Sequence, residues 1–191
     1  FMTNVGGAGM SAVATLLVEK GLGVQGHDPA ATTPFVEPLR ALGVEVVTGP
    51  EQPPLGGDVT AVVVSTATPD DAPVVVAARE RGLPVLHRAE ALAWLTGERT
   101  TVSVAGTHGK TTTSAMLAHV LVETGVHPSF IVGGTVTSIG SGAQWDEGDW
   151  FVVEADESDG TFLELGADLP VVTNVEPDHL EHYGGFEPLV A

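Results

Sequence analysis

Residues 101–113, Thr-Val-Ser-Val-Ala-Gly-Thr-His-Gly-Lys-Thr-Thr-Thr, decide the fold of the second half of this 191-residue chain. An apolar β-branched run leads into a glycine-rich turn, and the turn leads into a lysine and three threonines. Strand, glycine-rich turn, Lys-Thr and helix is the arrangement that cradles the phosphates of a nucleoside triphosphate. The only other lysine in the chain is Lys20, so the position of Lys110 in this turn indicates a functional role.

The spacing of this turn departs from the pattern G-x-x-x-x-G-K-[ST]. That pattern requires glycine at position 104, where this chain has Val104, and the first glycine is Gly106. The shorter form keeps the same mechanics, because the second glycine turns backbone amides toward phosphate, the lysine reaches the β- and γ-phosphates, and the next hydroxyl joins a Mg²⁺ shell. The predicted ATP-binding residues are Gly106, Thr107, His108, Gly109, Lys110, Thr111 and Thr112.

A second glycine-rich turn follows the first predicted strand. Gly7-x-Gly9-x-x-Ala12 fits the dinucleotide fingerprint, and Asp28 ends the next strand, where a ribose-binding carboxylate usually lies. A tight strand–helix turn without a ligand remains the alternative. Ser65 and Thr66 follow a later strand and either line the same crevice or serve only as turn residues. Arg88 follows the strand at 85–86, and its guanidinium either binds a phosphate or faces solvent.

Two polar segments follow strands in the second half of the chain. One runs from Glu154 through Asp156 and Glu157 to Asp159, and such an oxygen-rich turn suits Mg²⁺. The other contains Asp178-His179, which can ligate a metal or orient a substrate. The alternatives are a solvated acidic turn and a structural histidine.

Composition excludes several classes of function. The 7 basic residues stand against 25 acidic ones, a net charge of -18, so a basic nucleic-acid-binding face cannot form. No apolar run approaches the roughly 18 residues of a membrane span. Cysteine is absent, and the first residues lack a signal-peptide pattern, which favours a cytoplasmic protein without disulfides. The sequence does not determine the oligomeric state.

Alternating apolar runs and helical patterns predict an α/β chain with largely parallel sheets. We predict two domains, a Rossmann-like domain over 1–98 and the first, truncated part of a P-loop-type ATPase domain over 99–191. Both ends look cut from a longer protein. The predicted strands are 1–5, 24–27, 44–47, 61–65, 85–86, 101–105, 130–132, 150–154 and 171–174. The predicted helices end at 21, 42, 81, 95 and 123, and 133–148 is predicted to be a loop or hairpin.

Four motifs together resemble the Mur ligase family. They are Gly-Gly-Ala-Gly-Met-Ser at 6–11, Gly-Thr-His-Gly-Lys-Thr-Thr-Thr at 106–113, Glu-Ala-Asp-Glu-Ser-Asp at 154–159 and Thr-Asn-Val-Glu-Pro-Asp-His at 173–179. The likeness is greatest to the member that adds L-alanine to UDP-N-acetylmuramate in peptidoglycan synthesis. It implies ATP and Mg²⁺ as cofactors and an acyl phosphate that the L-alanine amine attacks. Glu181 departs mildly from the family pattern, which usually has Asp there.

The resemblance also implies roles for individual residues. Lys110 would act on the γ-phosphate, Thr111 and Glu154 would ligate Mg²⁺, and His179 would serve a second metal position and catalysis. The UDP-substrate would be held by Gly7, Gly9, Met10, Ser11, Asp28, Ser65 and Thr66. Because the family has a further C-terminal domain that helps to close the site, the resemblance implies that residues 1–191 alone are an inactive piece.

Four alternatives stay open. A ligase of the same family that attaches a whole recycled peptide to UDP-N-acetylmuramate would share both nucleotide sites. Folylpolyglutamate synthase is disfavoured, because it does not need a UDP-binding domain. A nicotinamide-dependent oxidoreductase would use the first glycine-rich turn but has no need for the second. The fourth alternative is that this chain is a nucleotide-binding but inactive fragment.

Overall fold

The computed structural model describes residues 1–30, 32–155, 166–177 and Gly185. The chain divides into two compact units, Phe1–Leu95 with Ala143–Trp145 and Thr96–Gly142 with Asp146–Ala191. The division after Leu95 lies three residues before the domain boundary that the sequence predicts. Among the described residues, no helix combines the length and apolar character that crossing a bilayer requires.

The first unit contains a five-stranded parallel sheet with the order β3-β2-β1-β4-β5. This order reverses direction between β1 and β4, which is the switch point at which α/β sheets bind ligands. Its elements are β1 Met2–Thr3, α1 Ala8–Glu19, β2 Gln25–Asp28, α2 Val36–Ala41, β3 Glu45–Thr48, β4 Val62–Val64, α3 Pro73–Glu80, β5 Val85–His87 and α4 Arg88–Thr96.

Another five-stranded sheet has the order β10-β6-β9-β7-β8. Strands β10, β6, β9 and β7 pair in parallel, and β8 follows β7 after the short connection 137–140, as in a hairpin. The elements are β6 Thr100–Ala105, α5 Lys110–Glu123, β7 Ser129–Val136, β8 Ser141–Gln144, β9 Trp150–Glu154 and β10 Leu169–Val172. The predicted α/β class with largely parallel sheets is confirmed.

Both cores are built from residues that the apolar patterns select. In the first unit Val62 and Val64 of β4 pack against Val74, Val75 and Ala78 of α3. In the second unit a separate cluster joins α5 to β7 and β9 through Ala118, Phe130, Val132, Val136 and Val152. Continuous burial of β4 and β9 fits strands that are covered on both faces.

Three strands differ from the prediction by more than one residue at an end. The first is only Met2–Thr3, because Asn4 has φ 49° and leaves the extended conformation. Strand β7 continues to Val136, so the predicted loop after Val132 begins later and the hairpin alternative is the correct one. Strand β10 ends at Val172. The side chains of the next two residues, Thr173 and Asn174, donate to His108 O in the turn after β6.

Arg99 joins the first strand of the second unit to the end of its hairpin. Its guanidinium donates to Ser129 Oγ at 3.1 Å, to Asp146 O at 2.7 Å and to Gly148 O. Burial lowers the pKa of Arg99, and the neighbouring carboxylates of Asp149, Asp146 and Glu98 oppose that shift. Charge-assisted bonds to backbone carbonyls are among the stronger hydrogen bonds in proteins, so this arginine acts as a clamp on the sheet.

Candidate functional site

The first glycine-rich turn lies at the carboxyl edge of the first sheet, beside its switch point. Gly7 caps α1 with extended φ and ψ of -78° and 147°, and no side chain caps the helix. The first-turn amides of an α-helix have no intrahelical acceptor, so those of Ala8, Gly9 and Met10 are available to an anion. The predicted phosphate-binding turn therefore has donors in a suitable arrangement.

Two glycines of this turn pack closely against neighbouring side chains. A Cβ on Gly6 would lie 2.7 Å from Thr33 Oγ1 and 2.9 Å from Asp28 Oδ2. A Cβ on Gly9 would lie 2.6 Å from Nη1 of Arg88, the first residue of α4. Gly9 thus admits a cationic side chain against the start of α1, and the sequence alternative in which Arg88 is only solvated is disfavoured.

Asp28 is buried at the end of β2 and holds the turn in place. Its Oδ2 accepts the Gly6 N–H at 2.8 Å, and its Oδ1 accepts the Ala30 N–H at 2.9 Å. Both carboxylate oxygens are therefore used by the backbone. Contact with a ribose remains a prediction, and it would have to use the remaining lone pairs of these oxygens.

Four polar side chains form a network between the ends of β1 and β4. Asn4 Oδ1 accepts from the hydroxyls of Ser65 and Thr68, each at 3.2 Å. Thr3 Oγ1 lies 2.7 Å from Thr68 Oγ1 and accepts the Ser65 N–H at 3.2 Å. Ser65 is thus held beside the switch point, whereas Thr66 is exposed. The sequence places Thr68 in the same segment as Ser65 and Thr66, but sequence reasoning missed Thr3 and Asn4 as members of this edge.

Met10 and Ser11 lie on the buried face of α1. The Met10 side chain is 4% exposed, so it can serve a ligand only through its backbone amide. The Ser11 hydroxyl donates to Ala8 O at 2.9 Å, and the Ser11 N–H donates to Gly7 O at 2.8 Å. Both Ser11 donors already have acceptors, so direct phosphate binding by Ser11 would require one of these bonds to break.

The second glycine-rich turn joins β6 to α5, as the sequence predicts. Gly106 has φ 128° and Gly109 has φ 83°, conformations that favour glycine. Gly109 caps α5 without any side-chain hydrogen bond, so the first-turn amides of α5 face the turn. Gly106 packs against Thr173 Oγ1 and the backbone of Asn174 so closely that a Cβ would not fit.

Lys110 is the first residue of α5, and its ammonium group lies over the turn. Nζ donates to Gly106 O at 2.7 Å and approaches Thr107 O at 3.4 Å. These carbonyls hold the cation beside the turn amides, where phosphate oxygens would replace them as acceptors. Thr112 is exposed on the first turn of the same helix.

Thr111 and Glu154 come together beside this turn. The Thr111 hydroxyl donates to Glu154 Oε1 at 2.7 Å, and Glu154 Oε2 accepts the Gly133 N–H at 2.5 Å. A hydroxyl and a carboxylate supply the hard oxygen donors that Mg²⁺ prefers, so this pair fits part of a magnesium shell. Within residues 1–30, 32–155, 166–177 and 185, no cluster of three or more His, Cys, Asp or Glu side chains forms a metal site.

The segment after β10 braces the turn. Asn174 Oδ1 accepts the His108 N–H at 2.9 Å, and Asn174 Nδ2 donates to His108 O at 2.8 Å. Thr107 N donates to Asn174 O at 3.1 Å, and Glu176 N donates to Thr107 Oγ1 at 2.9 Å. His108 and Thr107, predicted as ATP residues, thus shape the turn. Sequence reasoning singled out the motif that contains this segment and Asp178-His179. It did not predict that the segment would bond to the turn after β6.

Several predicted residues lie outside the described part of the chain. They are Asp156, Glu157, Asp159, Asp178, His179 and Glu181. Of the metal positions predicted from the sequence, the structure therefore describes Thr111 and Glu154, and the role of His179 stays a prediction.

Comparison with protein families covers nearly the whole chain. Residues 2–100 match the model described as Mur ligase family, catalytic domain, and residues 104–191 match the Mur ligase middle domain. The UDP-N-acetylmuramate–L-alanine ligase of Allorhizobium ampelinum is 50% identical over 98% of this chain and 40% of its own length. The protein of the same name from Rhizobium meliloti is 48% identical with the same coverage. The chain thus spans about 40% of these relatives.

Solved structures share the fold. The UDP-N-acetylmuramate-alanine ligase of Thermotoga maritima superposes with a TM-score of 0.82 at 34% identity, over 96% of this chain and 43% of that one. The UDP-N-acetylmuramate:L-alanyl-gamma-D-glutamyl-meso-diaminopimelate ligase of Neisseria meningitides gives 0.77 at 30% identity, over 93% and 60%. Both proteins are similar to this chain through both of its sheets.

Proposed function

The chain belongs to the Mur ligase family, and from this premise we propose that its protein joins L-alanine to UDP-N-acetylmuramate at the expense of ATP, in peptidoglycan synthesis. The alanine-adding relatives, 48–50% identical over almost the whole chain, support this substrate pair. Since the chain spans about 40% of those relatives, the proposal concerns the whole protein. The proposed location is the cytoplasm.

One observation carries the proposal most directly: Lys110 Nζ, the Thr111 hydroxyl and the Glu154 carboxylate surround the start of α5. Lys110 contacts the turn carbonyls at 2.7 and 3.4 Å, and Thr111 contacts Glu154 at 2.7 Å. A cation, helix amides and hard oxygen donors are what a triphosphate requires in a chain of net charge -18. An oxidoreductase would not need this second arrangement.

In the proposed chemistry the muramoyl carboxylate takes the γ-phosphoryl group of ATP and ADP leaves. The L-alanine amine then attacks the carbonyl carbon of this acyl phosphate, inorganic phosphate leaves, and the amine nitrogen gives up a proton as the amide forms. Lys110 and the first-turn amides of α5 would bind the γ-phosphate and stabilise negative charge that develops during transfer. Thr111 and Glu154 would hold Mg²⁺, with His179 as a further proposed ligand. When bound, Mg²⁺ would neutralise charge on the triphosphate and so reduce its repulsion of the carboxylate.

The UDP group is proposed to bind at the first glycine-rich turn. The amides of Gly9 and Met10 would face the diphosphate, and Arg88 lies against Gly9 as a compensating charge. Asp28 would maintain the turn and contact the ribose, while Ser65 and Thr66 would line the crevice beside β4. Gly7 allows the backbone to approach the ligand closely.

A peptide-recycling ligase is the second candidate, favoured by the similarity to the Neisseria meningitides structure. Both candidates would use the same ATP and UDP sites, so these sites do not discriminate between them. The amino-acid acceptor is the difference that an assay can measure.

Phosphate release by the full-length protein tests the proposal. With ATP, Mg²⁺ and UDP-N-acetylmuramate present, we expect turnover with L-alanine and little with L-alanyl-gamma-D-glutamyl-meso-diaminopimelate. The reverse preference would favour the recycling ligase. No turnover with either acceptor would reject ligation, and NAD titration would then test the oxidoreductase alternative. The same assay on residues 1–191 tests the prediction that this piece alone is inactive.

A further inference from the structure

Asn174 makes an unusual pair of hydrogen bonds to a single residue. Its side-chain oxygen accepts the His108 N–H at 2.9 Å, and its side-chain nitrogen donates to His108 O at 2.8 Å. A carboxamide has an acceptor oxygen and a donor nitrogen side by side, which matches the N–H and C=O of His108. The Asn174 side chain therefore bonds to His108 in the way that a backbone peptide of a neighbouring strand would, with one accepted and one donated N–H bond.

Further bonds from the same segment fix the turn in the same orientation. The Thr173 hydroxyl donates to His108 O at 2.6 Å, and the Thr107 N–H donates to Asn174 O at 3.1 Å. The backbone amides of Thr107 and His108 are thereby used on the β10 side. Phosphate must then be bound by the amides at the start of α5, next to Lys110.

We propose that Asn174 is a positioning residue for the phosphate-binding turn. It holds the His108 peptide so that the turn carbonyls retain Lys110 at the edge of the site and the α5 amides face the triphosphate. Asn174 acts through the turn and does not need to touch ATP. The inference rests on the proposed function, since it assumes that this turn binds ATP.

The position of Asn174 separates this role from a purely structural one. It follows the edge strand β10, whose pairing with β6 extends from Leu169 to Val172 and does not involve the Asn174 side chain. Asn174 is also only half-buried. Loss of its carboxamide should therefore change the turn far more than the stability of the sheet.

Asn174→Asp keeps the shape and the acceptor but removes the donor to His108 O. It also adds a negative charge beside the turn, so it is measured together with Thr173→Val, which weakens the same contact without adding charge. Titration of the full-length protein with Mg²⁺ and a non-hydrolysable ATP analogue should give an affinity about tenfold weaker. His108 O keeps the bond from the Thr173 hydroxyl, but a carboxylate oxygen replaces its second donor and repels it. The affinity for UDP-N-acetylmuramate and the melting temperature should stay near those of the wild type. In the ligation assay the KM for ATP should rise more than kcat falls.

A second pair of variants keeps the inference testable if Asn174→Asp does not fold. Thr173→Val removes the other donor to His108 O and should also weaken analogue binding, whereas Thr173→Ser keeps the hydroxyl and should restore it. Thr124→Ala, whose hydroxyl bonds to Val120 O at the far end of α5, is the matched control and should leave the affinity unchanged.

The outcomes are distinct. Wild-type affinity for the analogue in both Asn174→Asp and Thr173→Val would overturn the positioning role. An equal loss of affinity for both ligands together with a lower melting temperature would overturn it as well, in favour of a structural role. If the wild-type protein binds no ATP analogue at all, the proposed function itself fails, and the inference fails with it.

Discussion

Both units place a glycine-rich turn between the amino-terminal strand of their sheet and a helix, but the two turns use charge in opposite ways. In the first, the buried carboxylate of Asp28 is bonded to the backbone of Gly6 and Ala30. In the second, Lys110 and Thr111 lie at the start of the helix, and a neutral residue, Asn174, shapes the turn. The carboxylate of the first turn thus serves the structure of the turn itself, with Arg88 as the cation that lies against Gly9. The second turn has a cation and a carboxylate at the positions proposed for ATP and Mg²⁺.

This difference suits two different tasks. A site that only binds needs a rigid backbone and helix amides, which small residues and an internal carboxylate can supply. A site that transfers a phosphoryl group must also stabilise charge that develops during the reaction. The comparison predicts that variants of the second turn affect catalysis and that variants of the first affect binding and stability.

Lys110→Ala should have the largest effect. It removes the proposed cation at the γ-phosphate, and we expect ligation by the full-length protein to fall by at least about 10²–10³-fold. Titration should show unchanged binding of UDP-N-acetylmuramate. Lys20→Ala is the matched control, since Lys20 is the other lysine of the chain and lies over Trp94, 5.4 Å from the ring centroid. If Lys110→Ala retains the kcat of the wild type, the proposal that the second turn stabilises charge during catalysis is wrong.

Glu154→Gln should have the next largest effect. The variant keeps an acceptor for the Thr111 hydroxyl but loses the negative charge proposed to hold Mg²⁺. Activity should fall about 10- to 100-fold, and the Mg²⁺ concentration for half-maximal rate should rise. Glu123→Gln, at the exposed end of α5, should change neither quantity. An unaltered Mg²⁺ dependence in Glu154→Gln would show that the carboxylate only holds Thr111 and Gly133.

The sequence predicted the parts of the second turn that depend on local pattern. Strand β6, the turn at Gly106 and Gly109, and a helix over Lys110–Glu123 all follow from short-range glycine, lysine and apolar signals. Glu154 is also predicted, because an acidic run begins where its strand ends and the family resemblance implies a carboxylate ligand of Mg²⁺ there. The bracing by Asn174 was not, because it joins residues 66 positions apart in the chain.

The first turn shows the same limit more clearly. Gly7 and Gly9 are predicted as ligand contacts, and that prediction stays open. The structure adds that Gly6 packs against Asp28 and Thr33 and that Gly9 packs against Arg88. Ser11 was predicted as a phosphate donor, although its hydroxyl bonds to Ala8 O. A glycine or serine pattern does not reveal which partner needs it, because the partner lies elsewhere in the sequence.

Asp28→Ala tests whether the carboxylate of the first turn is mainly structural. Two backbone N–H groups would lose their acceptor, so the free energy of unfolding should fall by about 1–3 kcal/mol. UDP-N-acetylmuramate should bind more weakly, while the affinity for the ATP analogue should stay constant. Denaturant unfolding and titration of both ligands measure this, with the exposed Asp71→Ala as control. Full stability with weaker substrate binding would instead indicate that Asp28 acts mainly on the ligand.

Asn4 gives the smallest and most selective test, because its backbone and side chain can be separated. Its φ of 49° lies in the left-handed region, where Asn→Val should cost about 1–2 kcal/mol of unfolding free energy and Asn→Gly almost nothing. Asn4→Gly also removes Oδ1, but Ser65 Oγ and Thr68 Oγ1 lie 3.2 Å apart and can bond to each other. Equal losses of unfolding free energy in Asn4→Gly and Asn4→Val would show that Asn4 stabilises the turn through its bonds to the Ser65 and Thr68 hydroxyls. The left-handed backbone conformation would then not be the reason for asparagine at this position. The first turn would then depend on a polar side chain, as the second depends on Asn174.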